Sequence, residues 1–506
     1  MAALAISAAL TTAPAAAAID LCAATNSELD LNGDGYDDAA VGDPYASVGG
    51  HAQAGAIVIL YGDADRRIGE GRRTLLTQAS VPGSYAESGD HFGWSVTIAD
   101  ATGDGCADIL VGSPDEDWGG RANAGIAHLI SFTPDRTGGS GRAHATVLDQ
   151  GTVGGSIDAG DQFGYAVALG DYAGNEVAAG AIGAPGEDLY GVVDAGVVNE
   201  FLYESAPFMV HQSEQGEGLP GTPEAGDRFG AAVQLVPLQV TDGTNNGVEL
   251  VTLAGAPGDT VVRGDTKING AGSVTTWDQV AGFEQLVTQD SPDVSGVAEA
   301  GDEFGSSIAF GRIGTANPGR DVAIGAPGED VGTVRDAGSV SIFADVPGTG
   351  LVGRSTVTQD TAGFDGTAET SDRFGHSVAI RPEAGASTLI IGVPYEDLGS
   401  VTDAGMAQTV RIEPDKEARP VSAYTEKSAG TPGTVARGNR FGLTVAGMRG
   451  VAESLFAIVS PYQGAGAVFV ANTEGQTRSW VPGRGGVPVP RGSGRFGWAM
   501  SGLDGG

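Results

Sequence analysis

The chain has little positive charge: its 506 residues include 27 Lys and Arg against 64 Asp and Glu, a formal net charge of −37. A nucleic-acid-binding protein needs a basic surface that displaces counterions from phosphates, so this charge excludes that class. Past the N-terminus no apolar run approaches the roughly 20 residues of a membrane-spanning helix, so we expect no membrane span. No segment of useful length has helix periodicity either, which favours an all-β fold.

Cysteine is also scarce, with only Cys22 and Cys106 in the chain. The pair is consistent with one disulfide in an oxidising compartment, and two unrelated free thiols are the alternative. Residues 1–18 are apolar and alanine-rich and end in small residues, which predicts a secretory signal followed by a short segment at 19–29. A disordered alanine-rich tail is the alternative. We therefore expect a secreted, extracellular protein, which we take to be a monomer.

Residue patterns that would indicate catalysis are missing from the sequence. The six histidines are scattered and lack the spacing of a zinc site. There is no Gly-x-Ser-x-Gly elbow and no phosphate-binding loop. The sequence therefore favours a binding protein over an enzyme.

Two short motifs recur with a period of about 70 residues and interleave along the chain. The first is Phe-Gly, at Phe92, Phe163, Phe229, Phe304, Phe374, Phe441 and Phe496. The second is Gly-x-Pro, which begins at Gly42, Gly112, Gly183, Gly255, Gly325 and Gly392 and is degenerate at Val459. Between turn residues, each repeat holds four short segments typical of strands. A four-stranded unit cannot bury both of its faces alone, so the pattern predicts a seven-bladed β-propeller over 30–506.

The order of the motifs predicts how the propeller closes. The chain begins with a second strand, at 38–41, and finishes with a first strand, at 496–500. We therefore expect the C-terminal strand to complete blade one, which would hide the edge strands that an open ring exposes.

Phe-Gly followed about twenty residues later by Gly-Ala-Pro resembles the FG-GAP repeat of the seven-bladed propeller in integrin α chains and in secreted bacterial integrin-like proteins. The resemblance implies extracellular protein binding or cell adhesion. Some phospholipases and esterases carry such blades beside a separate catalytic domain, for which we expect no room after the seven repeats.

Two aspartate-rich loops have the spacing of calcium sites, which take six to eight oxygen ligands and need a glycine at the sharp turn. The first loop offers oxygen atoms from Asp30, Asn32, Asp34, Tyr36 (through its carbonyl) and Asp38. The second offers Asp100, Thr102, Asp104, Cys106 (through its carbonyl) and Asp108. We expect two structural Ca²⁺ ions, the second held more weakly because Thr102 is neutral; Asp/Gly-rich hairpin turns are the alternative. Blade five keeps only Asp321 of this set.

Acidic pairs recur at two other positions of the repeat. The first precedes Phe-Gly, at Glu87 and Asp90, Asp158 and Asp161, Glu224 and Asp227, Glu299 and Asp302, and Glu369 and Asp372. The second follows Gly-x-Pro, at Glu116 and Asp117, Glu187 and Asp188, Glu329 and Asp330, and Glu396 and Asp397. We expect these carboxylates to ring one mouth of the central channel.

The acidic series is interrupted at blades seven and one. Blade seven has Asn439 flanked by Arg437 and Arg440, and the closing strand follows Gly494, flanked by Arg491 and Arg495. Such a basic notch in an acidic rim could steer a partially cationic ligand or a partner protein. The alternative is that the acids cap turns and keep the chain soluble.

The sequence thus favours a secreted, calcium-stabilised propeller that binds an unknown extracellular protein. One alternative is a lectin that binds a glycan, although the five tryptophans are few and not periodic. The other is an extracellular hydrolase whose paired rim carboxylates do glycoside chemistry.

Overall fold

The structure is a computed structural model that describes residues 29–501 apart from 64–67, 82, 103, 134–141, 171–178, 203–206, 214–217, 242–245, 279–282, 314–318, 347–348, 384, 415, 450–453, 473–475, 490–491 and 493. The predicted secretory signal and Cys22 lie outside these residues. So do Asp171 and Arg491.

The strands are short, and the middle strands of each sheet are buried on both faces because every sheet packs between two neighbours. Ala56–Leu60, for example, is apolar at every position and buried at every position. Such strands read as continuous apolar runs instead of alternating patterns.

The described strands fall into seven groups that follow chain order. Blade one contains β1 (Ala39–Asp43), β2 (Ala56–Leu60) and β3 (Arg73–Leu76), and blade two contains β4 (Ser95–Ala99), β5 (Asp108–Ser113), β6 (Ile126–Thr133) and β7 (Arg142–Leu148). Blade three contains β8 (Ala166–Gly170), β9 (Ala179–Ala184), β10 (Val197–Leu202) and β11 (Phe208–Val210). Blade four contains β12 (Ala232–Thr241), β13 (Asn246–Ala256), β16 (Ser273–Asp278) and β17 (Phe283–Val287), with a hairpin of β14 (Val261–Arg263) and β15 (Thr266–Ile268) in its long loop. Blade five contains β18 (Ser307–Ile313), β19 (Gly319–Ala326), β20 (Ser339–Val346) and β21 (Gly350–Val357). Blade six contains β22 (Val378–Glu383), β23 (Ala386–Val393), β24 (Met406–Ile412) and β25 (Arg419–Tyr424), and blade seven contains β26 (Thr444–Arg449), β27 (Ser454–Ser460), β28 (Ala467–Asn472) and β29 (Thr477–Trp480).

Each blade is an antiparallel meander in which consecutive strands pair, as in the order β18-β19-β20-β21 of blade five. The predicted all-β, seven-bladed propeller is therefore confirmed. Helix is limited, in the described part of the chain, to one 3-10 turn at Gln78–Ser80. No helix among these residues is long and apolar enough to span a membrane.

The C-terminal segment lies against β1. The Ala499 carbonyl accepts a hydrogen bond from the Gly42 N–H (2.8 Å), and the Gly497 N–H donates to the Gly42 carbonyl (2.9 Å). The Ser501 N–H donates to the Ala40 carbonyl (3.0 Å). Because β1 is the second strand of its blade, this segment lies where the first strand lies in the other blades.

The hydrophobic core is divided among the interfaces between blades. One cluster joins Ile57 and Ile59 of blade one to Phe92, Ile98 and Ile109 of blade two, all of them buried. The first strands of blades four to seven, together with Met500 of the closing segment, line a small cavity of about 60 Å³. The blades are thus held together by side-chain packing between neighbouring sheets.

The two glycine motifs meet at each of these interfaces. Within blade three, the Gly164 N–H donates to the Gly183 carbonyl (3.1 Å), which starts the pairing of the first and second strands. Across the interface, the Gly183 Cα faces the backbone of Gly230 in blade four, so closely that a Cβ at 183 would lie 1.9 Å from the Gly230 oxygen. Only glycine allows two backbones to approach in this way.

The phenylalanine of each Phe-Gly pair lies in the same interface. All seven are buried: Phe92, Phe163, Phe229, Phe304, Phe374, Phe441 and Phe496. Each backbone N–H donates to an alanine carbonyl of the preceding blade, as from Phe229 to Ala195 (3.0 Å). The repeated motif is therefore the joint between consecutive blades.

We predict that Gly183→Ala lowers the free energy of unfolding by about 3 kcal/mol, because the methyl group overlaps the Gly230 backbone, which cannot move aside cheaply. Urea denaturation measures the loss. Gly191→Ala is the control: Gly191 has a φ of 86° with nothing within 4 Å of the added Cβ. Its backbone strain should cost only about 1–2 kcal/mol. Equal losses in the two variants would contradict the close-packing explanation.

Candidate functional site

The first predicted metal loop brings its acidic side chains together between the closing segment and β1. Asp30 and Asp38 are fully buried. Asp30 accepts hydrogen bonds from the backbone N–H groups of Gly33 (2.7 Å) and Gly35 (2.8 Å). Burial raises the pKa of Asp30 and, more strongly, that of Asp38, and repulsion from Asp34 adds to both shifts. The loop therefore concentrates buried negative charge among backbone donors, since both oxygens of Asp30 and both of Asp38 accept backbone N–H bonds.

The second predicted loop has the same arrangement. Asp100 accepts a hydrogen bond from the Gly105 N–H (2.8 Å), and Asp104 accepts one from the Cys106 N–H (2.9 Å). Asp108 is buried, and its Oδ1 has no hydrogen-bond partner among the described residues. Burial raises the pKa of Asp108, and repulsion from Asp100 and Asp104 raises it further.

The oxygen atoms of the two loops are turned mostly toward backbone N–H groups. Over the described ranges no three His, Cys, Asp or Glu side chains converge as metal ligands would. The donor set itself, buried carboxylates with an orphaned Asp108 oxygen, fits a hard cation such as Ca²⁺.

In blade five, whose sequence lacks the other aspartates of the predicted metal loops, an arginine balances the equivalent carboxylate. Asp321, at the position of Asp38 and Asp108, is fully buried and forms an ion pair with Arg354 from the fourth strand of its own blade. No described lysine or arginine pairs with Asp30, Asp38 or Asp108. The equivalent position thus has a protein cation in blade five, and in blades one and two no such cation lies among the residues that the structure describes.

The acidic pairs before Phe-Gly cap turns. The second member of each pair is buried and accepts a hydrogen bond from the backbone N–H of the first, as Asp161 does from Asp158 (2.6 Å). The same bond is formed by Asp90, Asp227, Asp302 and Asp372. Four first members, Glu87, Asp158, Glu299 and Glu369, are exposed.

The glutamates after Gly-x-Pro pair with glutamine from the preceding blade. Gln78 donates to Glu116 (2.8 Å), and Gln150 donates to Glu187 (2.8 Å). Gln289 and Glu329, and Gln359 and Glu396, form the same bond. Burial raises the pKa of Glu116 to about 8, with repulsion from Asp90 contributing. The prediction that these carboxylates ring the mouth is therefore wrong for the buried ones, which lie between blades.

Blade seven keeps the bond with its partners exchanged. Glu426 stands at the glutamine position of blade six, and Gln463 stands at the glutamate position of blade seven. The Gln463 side-chain N–H donates to Glu426 (3.1 Å). Asn439, which replaces the capping aspartate, donates to Glu426 as well (2.7 Å). The buried polar contact is thus preserved, but the carboxylate is on blade six instead of blade seven.

Partly exposed aromatic side chains gather at one mouth of the channel, where first strands begin and second strands end. The ring centroids of Trp94 and Trp498 are 5.1 Å apart, and Trp94 lies 5.5 Å from Tyr165. Tyr45 lies 5.1 Å from Trp498 and 5.0 Å from His91. We call these five residues of blades one, two and three the mouth patch. The two predicted metal loops are at the opposite ends of the same strands.

The sequence pattern did not reveal the mouth patch, because its members occupy three different repeat positions. Trp94, Tyr165 and Trp498 follow Phe-Gly, Tyr45 follows Gly-x-Pro, and His91 precedes Phe-Gly. Aligning the repeats position by position would have shown that aromatic residues at these sites occur mainly in neighbouring blades.

The residue just before each Phe-Gly varies in chemistry while its backbone does not. In six blades it has a left-handed φ of 53–57°: His91, Gln162, Arg228, Glu303, Arg373 and Arg440. Such a conformation is uncommon outside glycine and carries a cost that the surrounding structure must offset. The fold therefore presents one side chain per blade at the mouth from a fixed backbone, which leaves the choice of side chain free.

The predicted basic notch lies beside the mouth patch. Arg440 of blade seven and Arg495 of the closing segment are half-buried, and Arg437 is exposed. Both half-buried arginines lie over the ring of Tyr462, at 4.7 and 4.6 Å. Arg491 lies outside the described residues.

The FG-GAP repeat family matches residues 92–130, which run from the Phe-Gly pair of blade two into its third strand. This match and the seven blades together fit an integrin-α-like propeller.

Two phosphatidylinositol-glycan-specific phospholipases D are similar over part of the chain. That of Rattus norvegicus is 31% identical over 103 residues, and that of Mus musculus is 32% identical over 108 residues. The alignments cover 20% and 21% of this chain but only 11% and 12% of the two relatives. The chain thus spans about a tenth of the length of these relatives.

We predict that Glu116→Gln makes the protein more stable at pH 8. The unfolded chain ionises this carboxyl group above pH 4.5, whereas the folded chain holds its proton up to about pH 8, so stability falls as the pH rises through this window. An amide oxygen can still accept the bond from Gln78 without titrating. We expect a gain of at least about 1 kcal/mol at pH 8 and little change near pH 4.5, measured by urea denaturation at each pH.

Asp293→Asn removes one charge from an exposed turn of blade four, away from Glu116, and serves as the control. Its unfolding free energy should run parallel to that of the wild type across the window. Parallel curves for both variants would show that Glu116 does not contribute to the pH dependence.

Proposed function

We propose that the protein is a secreted, calcium-stabilised propeller that acts as a protein-binding or adhesion module and contacts its partner through the mouth patch. The observation that carries the proposal is the gathering of Tyr45, Trp94, Tyr165 and Trp498, all only half-buried, at one mouth of an FG-GAP propeller. Aromatic side chains are enriched at protein interfaces because they bury a large area at low entropic cost.

The carboxylate pairs are poorly placed for the hydrolase alternative. Asp90 and Glu116 are 2% and 4% exposed, and both are engaged in contacts that join turns and blades. A substrate would have to separate two blades to reach them. Binding without catalysis is therefore the simpler use of this architecture.

The calcium part of the proposal is supported by the contrast between blades. Asp321 of blade five has Arg354 as its counter-ion, whereas Asp30, Asp38 and Asp108 pair with no lysine or arginine among the described residues. A Ca²⁺ ion held by Asp30, Asn32, Asp34 and Asp38 would balance the first cluster, and one held by Asp100, Thr102, Asp104 and Asp108 the second. The carbonyls of Tyr36 and Cys106 would complete the two shells.

Export would also suit the two cysteines. Cys106 lies buried in the second loop. A disulfide from Cys106 to Cys22 would tie the segment before blade one to blade two. Such a bond forms and persists in an oxidising, extracellular compartment.

We predict that EDTA lowers the melting temperature and that Asp34→Asn reduces the shift. Removing calcium leaves mutually repelling, buried carboxylates, which destabilises blades one and two. Calorimetry of the full chain measures the shift between two conditions, added calcium and excess EDTA. The added calcium is about 1 mM, which is on the order of the dissociation constants of weak extracellular sites. Asp293→Asn, which removes one charge from an exposed turn, should leave the shift unchanged. An identical melting curve in calcium and EDTA would contradict the metal assignment.

We predict that Trp498→Ala weakens partner binding about tenfold or more, since truncation removes a central aromatic contact. The partner is first captured from native extracellular material and identified, and its affinity is then measured with purified protein by biolayer interferometry. Tyr85→Ala, at a side chain that is 79% exposed and outside the patch, is the control. Trp498→Phe should retain most of the affinity. If the tryptophan and control variants bind equally well, the partner uses another face.

A further inference from the structure

Arg440 is held between two aromatic rings at the mouth, beside the mouth patch. Its guanidinium carbon lies 4.7 Å from the ring centroid of Tyr395 in blade six and 4.7 Å from that of Tyr462 in blade seven. Arg495 of the closing segment lies over the same Tyr462 ring at 4.6 Å. Two cations therefore share one aromatic surface across blades six, seven and one.

The backbone of Arg440 is fixed as firmly as its side chain. The residue has a φ of 53°, and its N–H donates to the Asp403 carbonyl of blade six (3.2 Å). The next residue, Phe441, is buried in the interface between the two blades. The guanidinium is thus presented with little freedom to lose on binding, which favours affinity.

Arg440 has no carboxylate partner among the described residues, and its Nε is buried without a hydrogen bond. At the same repeat position elsewhere, Arg373 pairs with Glu303 (3.1 Å) and His91 contacts Asp115 (2.7 Å). The position of Asp115 is taken in blade seven by Tyr462. Arg228 of blade four also lies over a ring, that of Tyr165 (5.3 Å), so what distinguishes Arg440 is that it lies between two rings.

The carboxylates that the repeat would place around Arg440 are also missing. Asn439 replaces the capping aspartate, and Gln463 replaces the glutamate after Gly-x-Pro. Glu426, to which the charge has moved, is buried and bound by Asn439, Ser460 and Gln463. Burial lowers the pKa of the neighbouring His376, and the positive charge of Arg440 contributes to the shift. Asp43 is buried beside Arg495, whose backbone N–H donates to it (2.6 Å), so of the two arginines it is Arg440 that has no carboxylate partner among the described residues.

We infer that this surface, defined by Tyr395, Arg440, Tyr462 and Arg495, binds the carboxylate of an Asp or Glu side chain in a loop of the partner protein. The inference rests on the proposed protein-binding function and adds the chemistry of one contact. A guanidinium held by its faces offers its N–H edges, which match a carboxylate in a bidentate bond.

The overall charge argues for a single carboxylate over a polyanion. A protein of net charge −37 repels nucleic acids and sulfated polysaccharides at long range, whereas one carboxylate among apolar side chains adds little repulsion. The backbone N–H of Trp498, in the mouth patch, donates to the Arg495 carbonyl (2.9 Å), so the two surfaces adjoin. An acidic residue flanked by apolar residues would therefore contact both at once.

The test begins with the full chain and a phage-displayed library of random dodecapeptides. Selected peptides are synthesised with both ends capped, which removes terminal charges, and their dissociation constants are measured by fluorescence anisotropy. Each is compared with the peptide whose Asp or Glu is changed to the amide. Protein variants are Arg440→Gln, Arg440→Lys and the control Arg121→Gln, whose exposed arginine lies 3.9 Å from Asp158 in a loop of blade two. Thermal melting verifies that each variant is folded.

We expect an acidic residue in the selected consensus. The amide peptide should bind wild-type protein about tenfold or more weakly, as the loss of a charge-assisted pair implies. Arg440→Gln should weaken the acidic peptide by a similar factor and abolish the difference between the two peptides. Arg440→Lys should lie between, because it keeps the charge but loses the planar fork. Arg121→Gln should behave as the wild type.

Several outcomes would overturn the inference, and they separate it from the proposed function. Peptides that bind with no acidic residue, or that lose affinity on Trp498→Ala but not on Arg440→Gln, would leave a binding mouth without a carboxylate site. Failure to select any peptide would count against both. Tighter binding of a heparin oligosaccharide in the same assay would make this a polyanion site. Self-association that disappears in Arg440→Gln, seen by sedimentation, would assign the site to a second copy of the chain.

Discussion

The propeller depends on one close contact, in which the backbone of a Gly-x-Pro glycine lies against the backbone of the Phe-Gly pair in the next blade. This distance sets how near two sheets can approach, and it leaves the buried phenylalanine to fill the space beside it. Blade seven has Val459 in place of the Gly-x-Pro glycine. There the valine side chain occupies the space beside Gly497 of the next Phe-Gly pair, so the two motifs still meet. With the sheets at this separation, strands such as β2 must be apolar on both faces. Each repeat therefore supplies the close backbone contact that packs its blade against the next one.

A second consequence of the tight interfaces is the treatment of charge. Polar side chains caught between blades need partners because burying an unpaired charge is costly. The chain meets this requirement with glutamine and glutamate from successive blades, and it tolerates the exchange of the two at Glu426 and Gln463 because the bond is preserved. Much of the net charge of −37 is thus structural, while the exposed acids lie at the outer turns. The raised pKa values of the buried acids follow from their burial in the interfaces between blades.

At the mouth the same fold leaves room for variation. The residue before Phe-Gly sits on a left-handed backbone in six blades, yet its side chain is His, Gln, Arg, Glu, Arg and Arg in turn. Its identity affects neither the buried phenylalanine nor the glycine contact. Combined with the aromatic residues of blades one, two and three, this position gives the face a chemistry that the core does not dictate. That separation of a constant core from a variable face is what a scaffold for recognition requires.

The sequence by itself determined the number of blades, the four strands of each and the two aspartate-rich loops, because all of these arise from local turns that repeat every 70 residues or so. Only the tertiary structure decided which carboxylates are buried, since Asp161 and Asp158 look alike in sequence but one lies inside the interface and the other outside. It also decided the mouth: Tyr45 and Trp498 are separated by almost the whole chain and meet because the ring brings its ends together. The isolation of Arg440 has the same origin, since it follows from what two neighbouring blades do and do not place around it.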